Sequence, residues 1–200
     1  MPSVYDLKPA FQGLLRPVLR RMASMGVTAN QVTLSALLMS FATGAVIAWR
    51  PVPRALLLLP GVLFLRMALN AMDGMLAREF NQKSRLGAIL NELGDVVSDT
   101  AIYLPLALVP GFPIWLVFGI VLLAALSEMT GVLGLMIGAS RRYDGPMGKS
   151  DRAFVFGALG LGLGFGVKAG VWLTWLLAFV LVLLLVTIFN RARRALKENP

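Results

Sequence analysis

Long apolar runs, separated by short breaks, restrict this chain to a membrane fold. A helix that crosses a bilayer needs about 20 predominantly apolar residues. Six runs approach or exceed that length, at residues 32–49, 55–77, 86–108, 113–138, 153–167 and 169–189. The breaks between them contain proline, glycine or charge, as in the Arg-Pro-Val-Pro-Arg segment at 50–54. Because 58% of the residues are hydrophobic and only 14% are charged, we predict an all-α integral membrane protein with six transmembrane helices.

The segment ahead of the first run is amphipathic. Its apolar residues recur at helical spacing with arginines between them: Phe11, Leu14, Leu15, Val18, Leu19 and Met22 alternate with Arg16, Arg20 and Arg21. This pattern is typical of a helix that lies on the membrane surface, and Pro17 predicts a kink or a late start within it. We therefore predict one membrane domain over 1–200, with an interfacial helix at 5–26, a six-helix bundle at 32–189 and a basic cytoplasmic tail at 190–200.

The distribution of positive charge predicts the topology. An even number of spans places both termini on the same side of the membrane. Of the 19 Lys and Arg residues, fifteen would then face that side, whereas Arg50, Arg54 and Lys168 face the other and Arg66 lies within a span. The positive-inside rule makes the first side cytoplasmic, so we predict a plasma (inner) membrane protein with a cytoplasmic active site. Topology and anionic lipid also explain the net charge of +9, so we expect no nucleic-acid partner.

Polar and acidic side chains interrupt the second and third runs, where an unpaired charge is costly. On a helix, residues four apart share a face, so Asn91, Asp95 and Asp99 form one stripe, and Asn70 and Asp73 lie one turn apart on the preceding span. A short turn joins the two spans, which makes them antiparallel neighbours whose polar faces can meet. The chain contains no histidine and no cysteine, so a metal would sit on oxygen ligands, which favours Mg²⁺, Mn²⁺ or Ca²⁺.

The residues that follow Asp73 suit a phosphate ligand. Gly74 would let a ligand approach the backbone, Ala77 keeps the next turn small, and Arg78 offers a forked donor for phosphate oxygens. Helix packing at Gly74 and a snorkelling cation at Arg78 are the alternative interpretations.

This order of residues resembles the signature of the CDP-alcohol phosphotransferase (CDP-alcohol phosphatidyltransferase) family, D-x2-D-G-x2-A-R-x8-G-x3-D-x3-D. The chain reads Asn70-x2-Asp73-Gly74-x2-Ala77-Arg78-x8-Gly87-x3-Asn91-x3-Asp95, so six of the eight signature positions agree and every spacing is intact. Residues 27–33 also resemble the family's entry to its first span.

The resemblance implies a reaction and assigns roles to residues. Members of the family transfer a substituted phosphate from a CDP-linked donor, commonly CDP-diacylglycerol, to an alcohol and release CMP, and two metal ions usually bridge the signature acids and the donor. Carried over, Asp73 and Asp95 are expected to bind Mg²⁺ or Mn²⁺, and Asp95 is also the expected general base. Gly74, Ala77 and Arg78 are expected to line the nucleotide, and Gly87 to allow close helix packing.

Asn70 and Asn91 stand where the family has its first and third Asp. An amide oxygen can bind Mg²⁺, but each replacement removes a negative charge. Asp99, one turn beyond Asp95, could restore a charge, so the predicted metal ligands are Asn70, Asp73, Asn91, Asp95 and Asp99. Two hypotheses follow: an altered but active enzyme, or a catalytically impaired relative that binds nucleotide lipids. A channel or transporter would also explain acids in a membrane, but it would not explain the order of Gly74, Ala77 and Arg78.

Three further features complete the sequence-based predictions. Arg66 and Glu128 both lie within spans, and an ion pair between them would explain why both are tolerated. The cytoplasmic loop at 141–152 is basic, and by analogy with related enzymes Lys149, Ser150 and Arg152 could bind an anionic acceptor or donor headgroup. The glycines of the fifth run predict close helix packing, with a homodimer contact as the alternative.

Overall fold

The computed structural model describes residues 7–198, and within that range the chain folds into α-helices without a strand. The helices are α1 (Leu7–Ser24), α2 (Ala29–Trp49), α3 (Leu58–Glu79), α4 (Arg85–Tyr103), α5 (Ile114–Leu133), α6 (Lys149–Gly164) and α7 (Val171–Lys197). Short 3-10 turns precede α3 (Pro53–Leu57) and extend α4 (Leu104–Leu108) and α5 (Gly134–Ile137). The predicted all-α class is confirmed.

Helix length and composition identify four candidate membrane spans between residues 7 and 198 rather than six. They are Ala29–Trp49, Pro53–Glu79, Ile114–Ile137 and Val171–Lys197. The predicted third and fifth spans coincide with α4 and α6. Neither helix combines the length and the low number of charged residues of the four candidate spans. The reason is that α4 carries Arg85, Glu92, Asp95 and Asp99, while α6 has only 16 residues.

Local hydrogen bonds explain where α2 and α4 begin. Thr28 caps α2 with a capping box, because its hydroxyl accepts from the Gln31 backbone and the Gln31 side chain accepts from the Thr28 backbone. Ser84 caps α4 and accepts from the backbone N–H of Gly87 at 2.9 Å. Between α3 and α4, Asn81 takes a positive φ of 58°, a conformation that Asn tolerates better than most residues.

The amino-terminal helix packs on one side against the bundle. Leu15, Leu19 and Met22 belong to a cluster that includes Met72 and Leu76 of α3. The opposite face of α1 presents exposed apolar side chains, among them Leu14 and Val18. The helix continues through Pro17, where we expected a kink or a late start.

The interior of the bundle is formed mainly by α3, α5, α6 and α7, and α2 and α4 contribute Ile47 and Ile102. Leu63, Ile120 and Leu177 belong to its buried cluster, and Tyr103 stacks on Phe156 with ring centroids 4.4 Å apart. Large apolar side chains also cover the outside of α2, α5 and α7, as expected for a surface that faces lipid.

The glycines of α6 bring this helix close to the segment that leads into α3. A Cβ added at Gly160 would lie 2.5 Å from the backbone oxygen of Leu56, and one at Gly164 would lie 2.5 Å from the Leu57 side chain. The prediction of close helix packing is therefore confirmed for Gly160 and Gly164, whereas a Cβ at Gly166 would meet no atom within 4 Å.

Candidate active site

The polar residues of α3 and α4 meet in pairs across the two helices. The side-chain amide of Asn70 donates to Oδ1 of Asp95 at 2.8 Å. The amide of Asn91 donates to Oδ2 of Asp73 at 3.3 Å. Each asparagine of one helix therefore faces an aspartate of the other. The structure brings together four of the five predicted ligands in this way.

Asp73 is the buried carboxylate of this group. Its exposed fraction is 3%, and the hydroxyl of Thr33 on α2 donates to Oδ2 at 2.8 Å. The other oxygen, Oδ1, is buried and has no hydrogen-bond partner within residues 7–198. A buried carboxylate oxygen without a partner is energetically unfavourable in a protein alone, so this atom is available to a ligand. Sequence reasoning missed Thr33, although it lies in the 27–33 segment that resembles the family's first span.

Asp95 lies between two cations. Nζ of Lys149, at the start of α6, lies 2.5 Å from its Oδ2. Nη2 of Arg66 lies 3.7 Å from its Oδ1 and donates to its backbone oxygen at 3.1 Å. The Lys149 side chain is 34% exposed, whereas that of Asp95 is 8% exposed. Lys149 therefore connects the buried carboxylate to the solvent-accessible edge of the site.

Asp99 is enclosed by two arginines. Nη1 of Arg66 lies 2.5 Å from its Oδ1, and Nη2 of Arg152 lies 2.7 Å from its Oδ2. The predicted ion pair between Arg66 and Glu128 is wrong, because Arg66 pairs with Asp99 instead. On the antiparallel neighbour α4, Asp99 is the carboxylate that comes within reach of Arg66, and Glu128 on α5 is satisfied by other residues.

Glu128 forms ion pairs with arginines of the loop and of two helices. Arg152 of α6 approaches its Oε1 at 3.1 Å, and Arg141 and Arg191 each approach its Oε2 at 3.3 Å. Arg141 also donates to Glu92 of α4 at 2.6 Å. Sequence reasoning missed Arg191, since it lies in the predicted tail at 190–200. The structure instead continues α7 to Lys197 and buries Arg191.

The helical turn at residues 74–78, here called the Gly74 turn, provides a small surface beside Asp73. A Cβ at Gly74 would lie 3.3 Å from Nη1 of Arg78 and 3.4 Å from Nη2, so the guanidinium group packs directly over the glycine. Ala77 packs against the cluster shared by α1, α2 and α3. The three residues singled out by sequence thus lie together on the last two turns of α3.

The turn between α3 and α4 is attached to the start of α2. The side chain of Gln82 accepts from the Ala29 backbone at 2.7 Å and donates to the Val27 carbonyl at 3.3 Å. A Cβ at Gly87 would lie 2.8 Å from Oδ1 of Asn30, so glycine permits this close approach. These contacts fix α2, α3 and α4 relative to one another.

Of the predicted acceptor-binding residues, Lys149 contacts Asp95 and Arg152 contacts Asp99. Arg152 is fully buried, and its side chain is held by Asp99 and Glu128. Ser150 is exposed on the first turn of α6. The structure therefore separates three residues that sequence reasoning grouped together.

A second set of ion pairs holds the loop at 139–148 against the end of α7. Burial raises the pKa of Asp144, but the hydrogen bond from Arg142 and the charges of Arg142 and Arg194 outweigh it, so this pKa lies below its ordinary value. Hydrogen bonds from Ser140, together with the charge of Arg142, lower the pKa of Glu198. Both carboxylates are therefore ionised at neutral pH and tie the loop to the carboxyl end of the chain.

The donor set fits a divalent cation in part. Asp73 and Asp95 supply two carboxylates, and rotation of the Asn70 and Asn91 amides would present two further oxygens, which Mg²⁺ and Mn²⁺ accept. The unpartnered Oδ1 of Asp73 is the observation that favours a ligand there. Within the described residues no three acidic side chains are grouped closely enough to hold a metal by themselves.

Comparison with known proteins provides independent information. The family model for CDP-alcohol phosphatidyltransferase matches residues 26–186. The inner membrane protein YnbA of Escherichia coli is 47% identical over 194 residues, which cover 97% of this chain and 96% of that protein.

Two crystal structures of phosphatidylinositol phosphate synthase PgsA1 of Mycobacterium tuberculosis resemble this fold. One contains CDP-DAG and the other manganese and citrate, and each matches with a TM-score of 0.73 at 20% sequence identity. The match covers 90% of this chain and 92% and 87% of the two chains, respectively. At that identity the similarity shows a shared fold.

Proposed function

Because the chain belongs to the CDP-alcohol phosphatidyltransferase family, we propose that it transfers a phosphatidyl group from a CDP-linked lipid, such as CDP-diacylglycerol, to an alcohol and releases CMP. The observation that carries this proposal is the buried Oδ1 of Asp73, which has no hydrogen-bond partner within residues 7–198 and lies on the turn before the Gly74–Arg78 segment. The shared fold with PgsA1, which binds CDP-DAG, supports a CDP-lipid donor.

Asp73 and Asp95 are the proposed carboxylate ligands of Mg²⁺ or Mn²⁺, with Asn70 and Asn91 as amide ligands. The manganese complex of PgsA1 supports a divalent cation. Such a cation would neutralise the phosphate oxygens of the donor and the charge that develops on the leaving CMP. Asp99 was a predicted ligand, but both of its oxygens are engaged by Arg66 and Arg152. We therefore reassign Asp99 to the positioning of α4.

Asp95 is the proposed general base. Its carboxylate would accept the proton of the acceptor hydroxyl while the acceptor oxygen attacks the donor phosphorus and the bond to CMP breaks. Lys149, at 2.5 Å, would hold the Asp95 side chain toward the acceptor. Arg66 restrains the same carboxylate from the opposite side.

The Gly74 turn is the proposed nucleotide site. Arg78 already packs over Gly74, and its forked guanidinium group can donate two hydrogen bonds to a pyrophosphate. Ala77 leaves room for the nucleotide on the same helix. With a site near the membrane surface, the acyl chains of a lipid donor could remain in the bilayer.

We also propose a topology for the whole chain. The polar helix α4 and the short helix α6 would cross the membrane inside the bundle, so that six helices span it and α1 lies on the cytoplasmic surface. Asp95 and Asp99 of α4 face cationic side chains of the protein rather than lipid, which makes such a span energetically acceptable. YnbA is an inner membrane protein, and we propose the same location here, with cytoplasmic termini and active site.

The alternative is a nucleotide-lipid binding protein without turnover. The two Asn–Asp hydrogen bonds favour it, because they satisfy much of the site without a cation. The enzyme remains the better proposal, since the Asp73 oxygen without a partner and the candidate base are both retained.

Purified protein in CDP-diacylglycerol liposomes tests the proposal. CMP release would be followed with Mg²⁺ or Mn²⁺ and a panel of alcohols, using Asp95→Asn as the inactive variant. Glu79→Gln, which removes only an exposed pair with Arg16, is the matched control. Metal-dependent CMP release that is lost only in Asp95→Asn supports the enzyme. Metal-dependent CDP-lipid binding without CMP release with any alcohol would overturn the enzyme and support the nucleotide-lipid binding protein.

Restoring the family's acids tests the ligand assignment separately. The double variant Asn70→Asp, Asn91→Asp should bind Mn²⁺ more tightly than the natural chain, measured by Mn²⁺ electron paramagnetic resonance. An unchanged Mn²⁺ affinity would remove both asparagines from the metal site.

A further inference from the structure

An arginine cluster lies immediately behind the candidate base. It consists of Arg141 from the loop at 139–148, Arg152 from α6 and Arg191 from α7, and all three converge on Glu128 of α5 at 3.1–3.3 Å. Arg152 also contacts Asp99, which lies one helical turn from Asp95 on α4. The cluster therefore borders the place where the hydroxyl of an acceptor must meet the base.

Three guanidinium groups from separate elements make the arrangement that binds a phosphate monoester, because each group donates paired hydrogen bonds to oxygen anions. Here the chain supplies the anion itself. Glu128 is 5% exposed, Arg152 is fully buried and Arg191 is 2% exposed. The carboxylate of Glu128 thus occupies the centre of the cluster and leaves no open face on two of its arginines.

The remaining charge of the cluster is also balanced internally. Arg141 donates to Glu92, and Arg152 donates to Asp99. Each of the three arginines therefore has at least one carboxylate partner among Glu92, Asp99 and Glu128. Arg191 donates further to the backbone oxygens of Ser127 and Asp144. A dianionic acceptor would find each of these cations facing a carboxylate, and Nη1 of Arg141 is a buried donor of the cluster without a partner among residues 7–198.

Lys149 is the exposed cation at the site, and it is paired as well. Its ammonium group lies against Asp95. A phosphate bound to Lys149 would compete with the carboxylate that must remain a base, and it would approach that carboxylate as a like charge. Neither Lys149 nor the arginine cluster therefore offers a free site for a phosphorylated acceptor.

We infer that the acceptor is an uncharged alcohol, and that Glu128 determines this specificity by occupying the arginine cluster in place of an acceptor phosphate. The inference rests on the proposed transfer reaction, since it names the class of acceptor for that same site.

Matched acceptor pairs test it. CMP release from CDP-diacylglycerol liposomes would be compared for glycerol against glycerol 3-phosphate and for inositol against inositol 1-phosphate. The natural chain should prefer the uncharged member of a pair at least tenfold in kcat/KM. In Glu128→Gln this preference should shrink at least tenfold, because kcat/KM for the phosphorylated acceptor increases. A natural chain that prefers the phosphorylated member, or a folded Glu128→Gln variant with an unchanged ratio, overturns the inference.

A binding measurement separates this inference from the transfer reaction and from misfolding of the buried variant. Glu92→Gln changes a partly exposed side chain and removes one of the two carboxylate partners of Arg141, which keeps Glu128. Inorganic phosphate should show no saturable binding to the natural chain at millimolar concentration and measurable binding to Glu92→Gln. Tight phosphate binding by the natural chain, or no gain in Glu92→Gln, overturns the inference even if no alcohol supports CMP release. Absence of CMP release with every alcohol, by contrast, overturns the proposed reaction.

Discussion

Two aspartates one turn apart on α4 should respond to the same substitution in opposite ways. Asp95 faces Asn70 and Lys149, at the centre of the proposed metal site. Asp99 faces Arg66 and Arg152. Replacement by asparagine is nearly isosteric and removes one negative charge in each case. We expect Asp99→Asn to lower stability with little effect on Mn²⁺ affinity, whereas Asp95→Asn should weaken Mn²⁺ binding.

The expected loss of stability in Asp99→Asn follows from the contacts of the Asp99 side chain. Removing one partner of a buried ion pair costs about 3–5 kcal/mol, because the other charge is left without compensation. Arg66 keeps a contact with Asp95 at 3.7 Å, and Arg152 keeps Glu128 at 3.1 Å, so the lower limit of about 3 kcal/mol applies. For a chain of this size, about 2–4 °C per kcal/mol gives a decrease in Tm of roughly 6–12 °C.

The assay uses both variants in the same detergent. Thermal unfolding gives Tm, and Mn²⁺ electron paramagnetic resonance gives the affinity. Asp95→Asn should bind Mn²⁺ at least tenfold more weakly, because it loses one of only two carboxylate ligands. If Asp99→Asn lowered the Mn²⁺ affinity as strongly as Asp95→Asn and left Tm unchanged, then Asp99 would be a metal ligand and its reassignment would be refuted.

Three other substitutions test the surroundings of the site. Thr33→Val should lower stability by about 1.5 kcal/mol, near the lower limit for a hydrogen bond to a charged group, because Asp73 loses its 2.8 Å donor; thermal unfolding should show recovery in Thr33→Ser. Gly74→Ala should weaken CDP binding at least tenfold with unchanged Tm, whereas Gly61→Ala, whose added Cβ meets no atom within 4 Å, should leave CDP binding unchanged. The folded-state pKa of Glu198 is lowered, so its stabilising contribution should be complete above pH about 5 and should disappear as the pH falls through that lowered value. Protection factors from hydrogen exchange at the carboxyl end of α7 should show this loss in the natural chain and should change less with pH in Glu198→Gln.

Helix periodicity allowed the centre of the site to be predicted. Asn70 and Asp73 share one face of a helix, Asn91 and Asp95 share another, and a short turn made the two helices neighbours. Because a 3.6-residue period fixes which side chains face the same way, the meeting of these four residues required no knowledge of the other helices. The apolar runs likewise predicted the positions of the helices that cover residues 29–197.

The ion pairs between distant segments could not be predicted in this way. Arg66 was matched with Glu128 because both are charged residues within apolar runs, yet it pairs with Asp99. Glu128 instead receives Arg141, Arg152 and Arg191 from three segments that converge only in the folded bundle.

The sequence by itself determined an all-helical membrane chain, the family signature and the four side chains that face one another across α3 and α4. Each of these depends on residue spacing within one helix or across one short turn. Only the tertiary structure decided that Asp99 belongs to Arg66 and Arg152, and that Glu128 occupies an arginine cluster behind the base. The physical reason is that a buried charge takes whichever partner the packing brings within about 4 Å, and packing between distant helices is not encoded in any local period.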